Sequence, residues 1–427
     1  MFNSEALTKI QSIVLIAVII VAVVGSAAYV FLNGEDQSSD TIKIGLCQDL
    51  DMASGRSAWE GAVLAAEQIN AEGGILGRQV EIISEDNDHT TGDPSKISTA
   101  MNRLISLHNV DFIVGGAGAQ FIVMQDISAE HKIIFMQTTF THPLCGERVL
   151  DDYEKYKYWF TDFPNSTANF DRILHSIMTL RDYTGFNKVG YLADDLAWTL
   201  DFRERFDYLS EVYGFNIVYR GLVIPSVVDF TSYFTAMEEA NVEILVTVLA
   251  TQNSPISFIK QWHDLELPFV VWGINVLGQD SQYWEWTEGK CVTESAVTSS
   301  FVAGYPMTDK TIPAREAFIE RWRHIPAVTG SATYDAIRFI LPDAIERAGT
   351  IQTEAVIKAL EETDLYATDG RVVYTSSHNL MIGEGYRELL VFQWQEDGAR
   401  VPVYPRYIME EAGATYKFPP WPGPWDD

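Results

Sequence analysis

The chain has 427 residues, of which 47% are hydrophobic, so it is long and apolar enough to form more than one buried core. Lysine and arginine together number 30 against 59 aspartate and glutamate residues, which gives a net charge of −29. Because nucleic-acid affinity depends on cationic contacts with phosphate, DNA and RNA are excluded as expected partners. Cys47, Cys145 and Cys291 are too few and too widely spaced for a disulfide framework or a zinc site, and we assign them no function.

An uncharged apolar segment, 13–32, has the length needed to cross a hydrocarbon core of about 30 Å. Lys9 precedes it and acidic residues follow it, which predicts a short cytoplasmic N-terminus at 1–12 and an extracytoplasmic main domain. Small residues at 26–28 also resemble a signal-peptide cleavage site, so a cleaved signal remains an alternative. We expect a single-pass anchor in the cell membrane, followed by a solvated linker at 33–40.

The next segment alternates apolar strands with amphipathic helices. A strand at 42–46 is followed by a helix that Ser57 and Glu60 would open as a capping box and that Gly73 and Gly74 would end. Further strands are predicted at 80–83, 111–114 and 133–136, with a helix that begins at Asp93 and Pro94.

A second series of strands and helices begins near Asn169. The apolar pattern predicts strands at 188–192, 215–222, 244–249, 269–272, 371–374 and 389–394, and helices at 201–213, 256–265, 313–323, 331–347 and 353–361. Strands that alternate with helices of this length indicate an α/β protein with two parallel sheets. The last stretch, from Lys417, reads as an extended surface tail.

Catalytic motifs are missing from the sequence. The eight histidines form no HExxH pair, and neither a GxSxG elbow nor a GxxxxGK[ST] loop occurs. The acidic stretch from Glu85 has Thr91 where a calcium loop requires glycine. We therefore expect neither an enzyme nor a bound cofactor or metal.

Several segments carry a family resemblance. The run AEQINAEGGILGRQVEIISED, followed by Asp93 and Pro94, resembles the opening of the type I periplasmic solute-binding proteins, the family of the leucine/isoleucine/valine-binding and amide-binding receptors. VDFIVGGAGAQ, IIFMQTTFTHP, KVGYLADDLAW and TGSATYDAIRFILPDAIERAGT resemble later segments, so the similarity extends from about Thr41 to at least Trp394.

The resemblance implies two doubly wound, Rossmann-like lobes joined by a hinge, with a ligand cleft that closes between them. We place the first lobe at 41–160 plus about 286–364, and the second lobe at about 161–285 plus 365–410. A C-terminal tail would then occupy 411–427.

Candidate ligand contacts lie beyond the carboxyl ends of strands, where an open α/β sheet binds its ligands. In the first lobe a glycine-rich turn exposes backbone N–H groups, and a later threonine-rich turn adds hydroxyl groups. The predicted contacts are Ala117, Gly118, Ala119, Gln120, Thr139, Phe140 and Thr141.

The second lobe and two tryptophans supply the other candidates. Thr251 and Gln252 follow one strand, and Asn275 follows another. By resemblance, Trp59 and Trp198 take the positions of aromatic residues that line the cleft, although core packing is the alternative for each.

Asn275 is a departure from the family pattern. Amino-acid-binding members commonly have an acidic residue there, which pairs with the ligand ammonium group. A neutral amide does not replace that charge, so a free α-amino acid is in doubt, and an amide, a urea-like solute or an uncharged polar metabolite fits at least as well. Asp49 and Asp51 could supply a negative charge, so a cationic ligand remains an alternative.

The predicted function is that of an extracytoplasmic solute-binding protein of a branched-chain amino acid or amide-type ABC transporter. It would capture a small polar solute (an amino acid, amide or urea-like compound) and deliver it to the membrane permease subunits. The alternative is a ligand-sensing ectodomain that signals to a membrane partner.

Overall fold

The computed structural model describes residues 41–88, 93–116, 120–139, 142–196, 199–224, 227–250 and 254–426, with the backbone alone for 201 and 209. The predicted anchor at 13–32 and linker at 33–40 lie outside these residues. Within the described part of the chain, no helix is both long and apolar enough to span a membrane. Residues Ile42–Asp427 form one compact unit.

The first lobe is built on a five-stranded parallel sheet in the order β2-β1-β3-β4-β5. Most of its strands are apolar runs buried on both faces, as expected of a parallel sheet covered by helices. The strands are β1 (Ile42–Gln48), β2 (Val80–Asp86), β3 (Phe112–Gly115), β4 (Phe135–Gln137) and β5 (Trp159–Thr161).

The first helix, α1 (Ala53–Ala71), begins one turn earlier than the sequence predicts. The predicted capping box is wrong, because Ser57 Oγ instead accepts the N–H of Ala327 at 3.1 Å and Glu60 pairs with His324. Gly73, at a φ of 105°, does end the helix region as predicted.

Asp93 caps the second helix, α2 (Pro94–Asn102), as predicted, by accepting the N–H of Ser95 at 2.9 Å. A π-helical turn, Arg103–Leu107, continues it. Three further helices complete this part of the lobe: α3 (Phe121–His131), α4 (Leu144–Asp151) and α5 (Tyr153–Tyr156).

The second lobe is built on a seven-stranded sheet in the order β14-β13-β10-β9-β8-β6-β7. β6 to β10 are parallel, whereas β13 and β14 are antiparallel additions at one side. The strands are β6 (Lys188–Asp194), β7 (Asn216–Val223), β8 (Ile244–Leu249), β9 (Val270–Asn275), β10 (Ser295–Thr298), β13 (Leu390–Trp394) and β14 (Arg400–Tyr404).

Amphipathic helices cover the second sheet with their apolar faces. Phe170, Ile173 and Ile177, for example, pack with strand residues in one core cluster. The helices are α6 (Ser166–Thr184), α7 (Leu200–Val212), α8 (Thr231–Glu239), α9 (Ser254–Asp264) and α10 (Tyr283–Trp286), with a 3₁₀ turn at Leu277–Gln279.

After β10 the chain returns to the first lobe. Phe301 and Phe318 pack in the core of the five-stranded sheet, as do residues of the hairpin β11–β12. The elements of this stretch are α11 (Ser300–Ala303), α12 (Thr311–Trp322), α13 (Val328–Asp335), a π-helical turn (Ala336–Ile340), α14 (Leu341–Ala348), α15 (Thr353–Glu361), β11 (Asp364–Ala367) and β12 (Gly370–Val373).

The lobe boundaries remain a prediction, but the pairing and packing of three strands indicate two places where they should be moved. β10 pairs with β9 in the second sheet, although the prediction assigned 286–364 to the first lobe. β11 and β12 pack with the first core, although 365–410 was assigned to the second. Apolar pattern alone cannot distinguish the two sheets, because both bury similar strands.

The C-terminal residues do not form the extended surface tail that the sequence predicts. After α16 (Arg406–Glu411), Tyr416 and Trp421 are buried, and a 3₁₀ turn follows at Pro424–Asp426. The Trp421 ring lies 5.0 Å from that of Trp262, and its Nε1 donates to the carbonyl of Leu267 at 2.9 Å. The prediction failed because burial of large aromatic rings outweighs the extended preference of a proline-rich segment.

Candidate functional site

The carboxyl edge of the five-stranded sheet brings three chain segments into one row. Cys47 on β1 is level with Gly115 on β3, and Gly115 is level with Gln137 on β4. The residues that follow these strands are therefore neighbours. Asn87 holds the row together, because its N–H donates to the Gln48 carbonyl at 3.1 Å and its Nδ2 donates to the Gly116 carbonyl at 2.8 Å.

Several polar side-chain atoms at this edge are enclosed and have no hydrogen-bond partner among the described residues. They include Gln48 Oε1, Gln120 Oε1 and Thr139 Oγ1. Gln48 is 2% exposed and Thr139 is 6% exposed. An unpaired buried polar atom costs about 1–3 kcal/mol, so a bound molecule that supplied partners here would recover that energy.

The backbone approaches this group of atoms closely at Gly116. A Cβ added to Gly116 would lie only 1.8 Å from Thr139 Oγ1. The neighbouring Thr138 is different, because its hydroxyl is already paired with Thr333 Oγ1 at 2.7 Å. Of the two adjacent threonines, only Thr139 therefore has a hydroxyl that is not used within the described protein.

The structure brings two of the predicted first-lobe residues, Gln120 and Thr139, to the same sheet edge. Gln48 belongs with them but was not predicted from the sequence; its signal was a polar residue at the end of a buried strand. The other predicted contacts of both lobes lie outside the described residues: Ala117, Gly118, Ala119, Phe140, Thr141, Trp198, Thr251 and Gln252.

Trp59 lies on α1 and is 38% exposed. Its ring centroid is 5.3 Å from that of Trp322 on α12, with the planes tilted by 56°. The contact is thus between two helices of the first lobe. The predicted role of Trp59 in ligand binding stays a prediction.

Asn275, the predicted second-lobe contact, lies in a buried polar network. Its Nδ2 donates to Glu294 Oε1 at 2.6 Å and to the Tyr283 hydroxyl at 2.9 Å, while its Oδ1 accepts the N–H of Gly278 at 2.9 Å. Burial raises the pKa of Glu294 to about 7. A direct contact between the Asn275 amide and a solute would therefore require this network to rearrange.

A second buried acid lies at the carboxyl edge of the seven-stranded sheet. Asp194 ends β6, and its Oδ2 accepts the N–H of Ala250, directly after β8, at 2.7 Å. Its carbonyl accepts the hydroxyl of Thr199 at 2.7 Å. Asp194 was not among the predicted residues, and here it fixes the ends of two neighbouring strands.

A buried ionic cluster joins the chain segments that pass between the lobes. Arg387, which precedes β13, donates to Asp162 at 2.9 Å, to Asp335 at 3.2 Å and to Asp369 at 3.1 Å. Asp162 directly follows β5, and Asp369 also accepts the N–H of Phe301 just after β10. No more than 4% of any of these four charged side chains is exposed.

One arginine faces three carboxyl groups in this cluster, so the charges do not balance. Burial raises the pKa of Asp335 to about 7 and that of Asp162 well above its ordinary value. A proton on one of the carboxyl groups reduces the excess negative charge. Sequence analysis missed the cluster, because its members lie up to 225 residues apart.

The described residues contain no group of three or more histidine, cysteine, aspartate or glutamate side chains arranged to hold a metal ion. Gln48, Gln120 and Thr139, whose unpartnered atoms lie at the sheet edge, have neutral side chains. They can bind a polar molecule by hydrogen bonds, in particular one with N–H or O–H donors for the two glutamine oxygens.

Comparisons with known proteins agree with this architecture. Residues 41–399 match the family model described as periplasmic binding protein. A Leu/Ile/Val-binding protein homolog of Brucella melitensis is 24% identical over 335 residues, which is 78% of this chain and 83% of the relative.

Solved structures share the fold at low sequence identity. LivJ from Streptococcus pneumoniae, solved with isoleucine, is 17% identical with a TM-score of 0.68, over 85% of this chain and 100% of that one. A solute-binding protein from R. palustris, solved with benzoate, is 15% identical with a TM-score of 0.70, over 85% of this chain and 96% of that one. The chain therefore belongs to the periplasmic binding protein family and is a solute-binding protein.

Proposed function

We propose that this protein is the extracytoplasmic solute-binding component of an ABC transporter of the branched-chain amino acid and amide type. It binds a small polar solute between its two lobes, delivers the solute to the permease and catalyses no reaction. The unpaired atoms of Gln48, Gln120 and Thr139 at the carboxyl edge of the first sheet carry this proposal, because a solute bound there would supply the hydrogen-bond partners that these atoms lack. The apolar segment 13–32 would be its membrane anchor or a cleaved signal.

The solute we favour is a neutral amide or urea-like compound that offers N–H donors. Gln48 and Gln120 each present an amide oxygen, which accepts such donors. In contrast, the amide of Asn275 is bonded to Glu294, Tyr283 and Gly278, and it carries no negative charge to pair with an ammonium ion. A free α-amino acid would have to find its ammonium partner elsewhere in the second lobe.

The test is thermal unfolding of the full chain in the presence of amides, urea compounds, branched-chain amino acids and polyamines. A bound solute at about 100 times its dissociation constant stabilises the folded state by about 2.7 kcal/mol. Amides or ureas should raise the midpoint more than amino acids. A response to amino acids alone would contradict the solute class, and no response to any class would contradict the function.

Two adjacent threonines provide a matched pair of variants for the site itself. Thr139→Val removes an unpaired hydroxyl, so it should weaken solute binding by about tenfold or more without loss of stability in the absence of solute. Thr138→Val removes a hydroxyl that is bonded to Thr333, so it should lower stability by about 1 kcal/mol. Equal solute affinity in wild type and Thr139→Val would place the solute elsewhere.

A further inference from the structure

Three consecutive residues of the second lobe contact one short segment of the first lobe. Residues 279–281 follow β9, and the segment 324–328 links α12 to α13. Ile325 belongs to the apolar core of the first sheet, whereas Tyr283, just after the second-lobe residues, belongs to a core of the second sheet. The contact therefore joins two separate apolar cores.

Backbone amides supply the neutral part of this contact. The N–H of Ile325 donates to Ser281 Oγ at 3.0 Å, and the N–H of Val328 donates to Gln279 Oε1 at 2.8 Å. The amide of Gln279 is itself held in place, because its Nε2 donates to the carbonyl of Val297 on β10 at 3.0 Å. Two amides of the first lobe are thus protected by side chains of the second.

His324 supplies the charged part, because it lies between carboxylates of different lobes. Its Nε2 is 3.0 Å from Glu60 Oε1 on α1, and its Nδ1 is 3.4 Å from Asp280 Oδ2 of the second lobe. Asp280, and then Glu60, raise the pKa of His324 to about 10, so the imidazole is positively charged. Arg400 also lies within electrostatic reach of Asp280, but it belongs to the same lobe and so does not link the two.

The contact lies away from the chain segments that connect the two sheets. α13 begins at Val328, within the contact, and ends at Asp335, which belongs to the buried cluster around Arg387. Because a helix rises about 1.5 Å per residue, the two ends of α13 are about 10 Å apart. A rotation of the lobes about the connecting segments would therefore move this contact more than the cluster.

We propose that residues 279–281 and 324–328 form a latch between the lobes, and that His324 is the positioning residue that holds the latch closed. The latch rests on the proposed function, because a solute bound between two lobes leaves only when the lobes separate. Loss of the His324 charge shifts the population toward the open arrangement.

Hydrogen exchange of the full chain, resolved by residue and measured without solute, tests the latch. The amides of Ile325 and Val328 donate to the second lobe, whereas that of Ala327 donates to Ser57 Oγ of the first lobe at 3.1 Å. Opening of the latch exposes the first two amides and leaves Ala327 protected. We therefore expect Ile325 and Val328 to exchange faster than Ala327, after correction for intrinsic rates. Equal protection of all three amides would overturn the proposal.

Two substitutions assign the latch to its charges. His324→Gln should speed the exchange of Ile325 and Val328 by about tenfold or more and leave that of Ala327 unchanged. Asp280→Asn should have the same effect, because it removes the negative charge of the second lobe and keeps the size of the side chain. Wild-type rates in either variant, or an equal acceleration of Ala327, would overturn the role of His324.

The matched control is His108→Gln. His108 pairs with Glu85 at 2.8 Å inside the first lobe, so this variant removes a similar ion pair that does not join the lobes. Its exchange rates in the latch should equal those of wild type, and acceleration as large as in His324→Gln would overturn the proposal. Because no solute is added, failure of the latch is distinguished from failure of the proposed function, which the solute panel decides.

Discussion

Glu294 illustrates, at the scale of a single residue, how burial changes the chemistry of a side chain. It is 2% exposed, its Oε1 accepts from Asn275, and its Oε2 has no partner among the described residues. A carboxylate in such surroundings favours its protonated form. The ionisation of Glu294 therefore connects protein stability to pH.

We expect the stability of the protein to depend on pH through Glu294. Its pKa is raised from 4.5 in the unfolded chain to about 7 in the folded state, so its contribution is fully present below pH 4.5 and is lost as pH rises through 7. The loss is about 3 kcal/mol. Urea unfolding between pH 5 and about 8.5 should show the stability of Glu294→Gln rising relative to that of wild type by most of that amount.

A matched control for this experiment is Glu396→Gln, because Glu396 is exposed. The difference in the free energy of unfolding between Glu396→Gln and wild type should not change over the same pH range. A constant difference between Glu294→Gln and wild type would mean that Glu294 does not carry this pH dependence.

Asn70 shows, at the scale of the element, why one sequence segment is diagnostic of the fold. It lies near the end of α1, where its Nδ2 donates to the Val80 carbonyl at 2.9 Å and its Oδ1 accepts the Val80 N–H at 2.7 Å. The side chain thereby joins the helix to the first residue of β2. The order of helix, glycine turn and strand in AEQINAEGGILGRQVEIISED is thus fixed by specific bonds as well as by its apolar pattern.

Removal of both bonds should lower stability. We expect Asn70→Ala to reduce the free energy of unfolding by about 1–3 kcal/mol, as measured in urea. Asn70→Asp keeps the acceptor but loses the donor, so its loss should be smaller than that of Asn70→Ala. Equal stability of Asn70→Ala and wild type would show that packing alone joins α1 to β2.

The presence of a helix or strand was easier to predict than its first and last residues. The strand at Ile244–Leu249 and the helix at Thr353–Glu361 have the predicted bounds, because uninterrupted apolar runs and clear helix periods define them. The start of α1 was missed, since the hydroxyl of Ser57 is used by Ala327, 270 residues away. Local capping rules cannot anticipate such a distant partner.

The cluster around Arg387 joins the three chain segments that connect the two sheets. The chain segments after β5, after β10 and before β13 all contact this cluster. A change in the relative position of the lobes must therefore take place around one buried set of charges.

Removal of Arg387, the one cation of the cluster, should strongly destabilise the protein. Arg387→Met leaves Asp162, Asp335 and Asp369 buried without a counter-charge, and it should reduce the free energy of unfolding by about 3–5 kcal/mol. Arg387→Lys should be intermediate, because one ammonium group cannot reproduce the planar contacts of a guanidinium. Denaturant unfolding measures the free energy of unfolding of both variants.

The matched control is Arg371→Met, which removes an exposed ion pair with Asp364. This substitution should change the unfolding midpoint little, because solvent screens exposed pairs. If Arg387→Met were no less stable than Arg371→Met, the cluster would not stabilise the folded protein.

The sequence by itself determined the α/β class, most strands and helices, the family resemblance and part of the sheet edge that includes Gln120 and Thr139. These features depend on apolar periodicity and on polar residues directly after strands, which are local properties of the chain. Only the tertiary structure decided that Gln48 joins this edge, that Asn275 is bound to Glu294 and that Trp421 is buried. The same holds for the Arg387 cluster. In each of these cases the partner is remote in sequence, and a charge or hydrogen bond acquires its meaning only from the groups that folding places next to it.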